Sequence, residues 1–169
     1  MIIKVSELSE EGLSLDDPTQ FQGAFADPSW LLEGLSLHFE PDGSDVLVTG
    51  EIQARVPLTC SRCLESFPGL IRAAVDVTFS PRPAGADSVE LGRDDLDVDF
   101  YVNDQLDVSR VLETETSLAL PMKPLCRDDC RGICTVCGGN RNLVTCTCEE
   151  NRVDPRLAVL RDLSGRHAR

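Results

Sequence analysis

The chain's eight cysteines fall into two groups by spacing: Cys60 and Cys63 stand as an isolated pair, and the other six lie within the 23 residues from Cys126 to Cys148. A Cys-x-x-Cys turn aims two thiolates at one point about 2.3 Å from each sulfur, the bond length zinc requires, and two such turns complete a tetrahedron. Cys134 and Cys137 form one turn, and Gly138 and Gly139 after it can take positive φ, letting the backbone fold back and face its amides to the sulfurs. Cys146 and Cys148 supply the second pair. Cys134, Cys137, Cys146 and Cys148 thus make a self-contained set within fifteen residues, expected to hold structural zinc.

Joining Cys60 and Cys63 with Cys126 and Cys130 would close a second four-cysteine set and pin the central sheet to the C-terminal segment. Two other arrangements stay open: Cys126 and Cys130 sharing a metal with the downstream cysteines, or Cys60 and Cys63 left free. The expected cofactor is therefore one or two zinc ions. An even cysteine count also suits disulfides, but those belong to oxidising compartments and small secreted domains. The start, MIIKVSELSEEG, is too acidic and too short in apolar run for a secretory signal. Cys60-Ser61-Arg62-Cys63 also has the form of a redox dithiol, with Arg62 beside the thiolate. That chemistry calls for a strand-to-helix junction, whereas here strand-like sequence continues on both sides.

Catalytic constellations are missing. His38 and His167 are the only histidines, one amid strand-like sequence and one near the end of the chain. No HExxH, Walker loop or Rossmann fingerprint occurs. A closed four-thiolate site has no open coordination position of the kind catalytic zinc uses. The expectation is a non-enzymatic protein with no small-molecule substrate.

The elements that would position these thiols are those of an ordinary domain. At 169 residues, 41% hydrophobic and 27% charged, the chain is long enough for one sizeable core. No run approaches the roughly 18 apolar residues of a membrane span, and a cytoplasmic location is expected. Charge is uneven: residues 1–120 carry 7 basic and 23 acidic side chains, a net −16, and residues 121–169 carry 9 and 6, a net +3. Each zinc centre of four thiolates would add −2. A molecule of net charge −13 repels phosphate as a whole, so RNA contact would have to be local, through Arg62, Lys123, Arg127, Arg131 and Arg141, or give way to contact with a basic protein.

Alternation predicts a strand at Ile2–Val5, then a Ser-, Asp-, Gly- and Pro-rich stretch anchored by Trp30, Leu31 and Leu32. A hairpin follows, with Leu35, Leu37 and Phe39 on one strand, a turn at residues 41–45, and Val46 to Val56 on the other, with a bulge expected near Gly50. Leu70–Phe79 is the next strand, which places Cys60 and Cys63 in the connection between paired strands. Residues 81–92 read as a loop. Asp94, Asp95, Asp97 and Asp99 lack the Gly and Glu of an EF-hand and read as the charged face of an edge strand. The period then becomes helical through Val108, Val111, Leu112, Glu115, Leu118 and Ala119, with Asp107 as N-cap and Pro121 as terminator. A last helix is expected to open at Asp154-Pro155 and run to Leu163. The fold class is α+β: an antiparallel, barrel-like sheet with a few helices and a C-terminal Cys-rich zinc module. An acidic β-rich core over 1–120 and the Cys-rich segment with its helix over 121–169 are expected to pack as one domain.

CSRC between paired strands, a helix leading to LP, the string LCRDDCRGICTVCGGNRNL followed by CTC, and the closing DPRLAVLRDL together resemble the YceD family of large ribosomal RNA subunit accumulation proteins, found in bacteria and plastids. The resemblance covers residues 35–163. It implies a role in 23S rRNA accumulation and large-subunit assembly, with metal binding and nucleic-acid binding, and carries no catalytic chemistry. Thr135 stands where the family pattern CPxCG has proline, and Asn140-Arg141-Asn142-Leu143 replaces its plain NLN; the ligand pattern survives both. The expectation is an assembly factor whose zinc orders a surface for rRNA or a basic ribosomal protein. The alternatives are a redox-switch or chaperone-type protein exchanging zinc for disulfide, and an adaptor unrelated to ribosomes.

Overall fold

The computed structural model describes residues 1–82 and 98–148. Its centre is a five-stranded sheet in the order β2 (Leu13–Leu15), β3 (Leu31–Asp42), β4 (Asp45–Thr59), β5 (Ser66–Pro81), β6 (Val98–Tyr101). β1 (Ile2–Lys4) pairs separately with β7 (Gln105–Asp107), and α1 (Val108–Leu118) follows β7 without a break. The two-residue turn between β3 and β4 carries Gly43 at φ +65°, a conformation glycine adopts without steric cost.

The long strands β3, β4 and β5 show why the sheet has one wet and one dry face. Leu35, Leu37 and Phe39 lie opposite Ile52, Gly50 and Val48, and β5 adds Ile71, Ala73 and Val75 in register. Every second side chain is thus buried, as the period of a strand requires. Helix α1 covers this face with Val108, Val111, Leu112 and Thr116. The Asp107 carboxylate accepts from the Ser109 N–H at 3.0 Å, the cap read from the sequence. Trp30 packs on the core with its ring tilted against Phe25, centroids 5.5 Å apart.

Several expectations are corrected. No closed barrel forms among the described residues: the β1–β7 sheet is antiparallel as expected, and the open five-stranded sheet is antiparallel except that β6 runs parallel to β5, which makes it mixed. Among the described residues there is one α-helix, the one expected from Asp107, beside two 3-10 turns. No bulge lies at Gly50: Val48 and Ile52 bury on the same face, so no residue is inserted, and the register shift falls at Glu33, between Leu32 and Gly34. Gly50 instead holds φ +146°, where a Cβ would stand 1.9 Å from the Ser36 carbonyl oxygen. The buried stripe of α1 turns through Thr116, leaving Leu118 exposed. The loop read at 81–92, Asp94, Asp95 and Asp97, and the helix read from Asp154 lie largely or wholly outside the described residues; Asp99 lies in the edge strand β6 as expected. No helix among the described residues is long and apolar enough to cross a membrane.

Candidate metal centres

β4 and β5 stay paired to their last residues, Thr59 with Ser66, so the six residues between must reverse the chain tightly. They do so by a knuckle. The Leu64 N–H donates to the Cys60 carbonyl at 2.9 Å, the Cys60 N–H donates to the Glu65 carbonyl at 2.9 Å, and Leu64 sits at φ +61°. The turn at Cys134 repeats this geometry, with Gly138 N–H to the Cys134 carbonyl at 2.9 Å, Cys134 N–H to the Gly139 carbonyl at 2.8 Å, and Gly138 at φ +73°. Each knuckle points both of its sulfurs to one side.

The eight thiols gather into two groups, Cys60, Cys63, Cys126 and Cys130, and Cys134, Cys137, Cys146 and Cys148, the sulfurs of each lying within 4.8 Å of one another. Cys126 and Cys130 therefore join the hairpin pair rather than the downstream cysteines. Cys60 and Cys130 sulfurs stand 3.8 Å apart, and those of Cys63 and Cys126 3.7 Å. A tetrahedron with bonds of about 2.3 Å has edges of about 3.8 Å, whereas a disulfide bond is about 2.05 Å long. Either group could hold a metal ion, and the first would cross-link the β4–β5 connection to the segment after α1.

Electrostatics fit that use. Backbone N–H groups of Cys63 and Cys126 turned toward Cys60 pull its thiol down to about 6, and those of Cys137 and Val136 do the same for Cys134. The Val136 N–H lies 3.4 Å from the Cys134 sulfur. Desolvation pushes Cys126 up to about 12, and the neighbouring Cys137 sulfur, with burial behind it, pushes Cys148 up to about 12. Each group holds thiols poised to ionise beside thiols that resist further negative charge, and a dication among them removes the conflict.

The protein around the first group is built from polar contacts. Ser61 donates twice to the Pro124 carbonyl, from N–H at 2.8 Å and Oγ at 2.9 Å. Arg62 Nη1 donates to the carbonyls of Asp128 at 2.9 Å and Cys130 at 3.1 Å, and Arg127 reaches Asn142 Oδ1 at 2.7 Å and Asp129 at 3.3 Å. These two of the five arginines and lysines read as partner contacts thus spend their guanidinium groups inside the module. Lys123 and Arg131 are exposed, and Arg141 is half-buried with its N–H bonded to the Gly132 carbonyl. Asn140 and Asn142 were not singled out from the sequence as functional. Asn142 Nδ2 donates to the Cys130 sulfur at 3.3 Å, and only its fixed place after the second knuckle could have flagged it.

A family model described as "Large ribosomal RNA subunit accumulation protein YceD" matches residues 48–164, more than half of the chain. The chain belongs to the YceD family. Among relatives, an uncharacterized protein of Mycobacterium tuberculosis is 30% identical over 151 residues, 85% of this chain and 64% of its own length. An uncharacterized protein of Mycobacterium leprae is 31% identical over 129 residues, 76% of this chain and 58% of its own. The Zea mays "Large ribosomal RNA subunit accumulation protein YCED homolog 1, chloroplastic" is 24% identical over 129 residues, 62% of this chain and 44% of its own. The chain therefore spans just under two thirds of the length of the first of these relatives. No solved structure matches it.

Proposed function

We propose that this YceD chain is a non-catalytic, cytoplasmic zinc protein that supports 23S rRNA accumulation and large-subunit assembly by docking on a component of the precursor particle. The observation that carries the zinc reading is the pair of four-cysteine groups, the sulfurs of each within 4.8 Å of one another, with the Cys60–Cys130 and Cys63–Cys126 separations of the first at the edge length of a zinc tetrahedron. A second observation says what the metal does. Among the described residues after Pro121, the only buried ones are Cys130, Gly132 and Cys134, and beyond half-buried Leu125, packed with Phe67 against the thiols of the first group, little apolar packing orders this segment. Structural zinc supplies about 10 to 16 kcal/mol in finger peptides, which is enough to order it.

Family membership supports the ribosomal role. Charge favours a basic ribosomal protein over bare rRNA as the docked component, because residues 1–120 carry a net −16 and two of the candidate cations are engaged within the module. The decisive experiment is cross-linking in growing cells combined with a ribosome gradient from cells lacking the protein. Cross-links to a large-subunit protein and a deficit of large subunits are expected. Cross-links to rRNA alone would move the contact to Lys123 and Arg131, and a normal subunit ratio would remove the assembly role.

A further inference from the structure

We infer that Asn142 is the residue through which the two four-cysteine centres support each other's metal, so that loading one raises the affinity of the other. This rests on the zinc reading above. Asn142 lies in the loop between Cys137 and Cys146, whose ends both belong to the distal centre. Its side chain works on the other centre. Nδ2 donates to the Cys130 sulfur at 3.3 Å and to Asn140 Oδ1 at 2.8 Å, while Oδ1 accepts from the Arg131 N–H at 2.9 Å and from Arg127 Nη2 at 2.7 Å.

The loop is held in place by its own backbone. Arg141 N–H donates to the Gly132 carbonyl at 2.9 Å, opposite the bridge between Ile133 and Asn140, and Ile133 N–H donates to the Arg62 carbonyl at 3.0 Å, inside the first knuckle. Gly132 permits this approach, since a Cβ there would stand 3.0 Å from the Arg62 carbonyl oxygen at φ +72°. Closing the distal centre therefore fixes the loop, and the fixed loop presents an amide donor to a thiolate of the cross-linking centre. A donor of this kind withdraws charge from the sulfur and orients it, and removing such a partner from a metal ligand typically costs about tenfold to a hundredfold in metal affinity. Thermodynamic linkage makes the effect reciprocal.

The test uses the full chain, reduced and stripped of metal, titrated with Zn(II) against a chromogenic chelator. With Cys137→Ser, the cross-linking centre is expected to bind about 10- to 100-fold more weakly than in the wild type, and Cys60→Ser should weaken the distal centre by the same factor. Asn142→Ala, with all eight cysteines intact, should weaken the cross-linking centre similarly and abolish the coupling, so that adding Cys137→Ser changes it no further. With Co(II) as probe, Asn142→Ala should also move the sulfur-to-metal charge-transfer band to lower energy, a shift that loosened packing alone does not produce. Asn142→Asp is the second variant: it keeps the acceptor for Arg127 and Arg131 but sets a carboxylate against the Cys130 sulfur, and should weaken the cross-linking centre at least as far as Asn142→Ala does. A cross-linking centre whose zinc affinity stays within twofold of the wild type both in Cys137→Ser, which has lost the distal zinc, and in Asn142→Ala would overturn this inference alone. A wild-type chain that binds no zinc would overturn the zinc reading with it.

Discussion

Leu64 and Gly138 occupy the same place in two matching knuckles, each the residue after the second cysteine and each with a left-handed backbone, at φ +61° and +73°. Gly138 adopts it freely, while Leu64 adopts it against the steric clash of its own Cβ. Its side chain is 61% exposed and has no compensating burial. Replacing Leu64 by Gly should therefore stabilise the protein by about 0.5 to 1 kcal/mol, the relief of strain exceeding the added freedom of the unfolded chain. Gly138→Ala should cost about 1 kcal/mol through the backbone alone, since a Cβ there meets nothing within 4 Å. Urea unfolding of the metal-loaded protein reads both, and effects of the same sign from the two substitutions would contradict the shared geometry.

Breaking one centre should differ in reach from breaking the other. Cys137→Ser should lose one zinc per chain and expose amides around residues 131–148, leaving β3, β4 and β5 protected. Cys63→Ser should release the whole segment after α1 from the hairpin, because the first group is its cross-link. Metal analysis and amide hydrogen exchange distinguish the two patterns. A chelator should reproduce both losses together while the sheet stays folded, its core being hydrophobic and separate from the thiols.

Gly50 should tolerate no side chain. An alanine Cβ would fall 1.9 Å from the Ser36 carbonyl oxygen, and φ +146° is itself a glycine conformation, so strands β3 and β4 would have to part. Gly50→Ala is expected to cost about 3 kcal/mol or more. A midpoint in urea within experimental error of the wild type would show that the strands close without this approach.

Glu115 gives a pH dependence with a defined sign. Burial, and behind it the negative charge of Asp99, holds its carboxyl above the ordinary range. The folded form therefore binds its proton more tightly than the unfolded form, and this contribution to stability is fully present below the unfolded value and is lost as pH rises through the folded one. Glu115→Gln should remove that loss. The variant should match the wild type near pH 4 and be more stable at pH 7, as read from paired urea curves, in which the metal contribution cancels.

Much of the site was legible in the residues. Cys-x-x-Cys spacing is a local property of a tight turn, so the two knuckles and the self-contained group from Cys134 to Cys148 follow from the chain itself, as does the Asp107 cap, which depends on the next two residues. The strands β3 to β5 were legible because period-two burial writes itself into the sequence. Gly50 misled because a glycine among alternating residues looks the same whether it marks an inserted residue or a close approach of two backbones, and only the partner strand tells them apart.

The order of the strands was another matter. Whether β6 lies parallel or antiparallel to β5, and whether β1 joins the main sheet or leaves it for β7, depends on contacts between residues far apart in the chain, and side-chain alternation is the same for every such pairing. The same reason governs the thiols. Residue spacing determined that eight cysteines form turns suited to a metal; the partner of Cys60 and Cys63 was decided only when the hairpin and the segment after α1 came together, because a contact across more than sixty residues leaves no local trace.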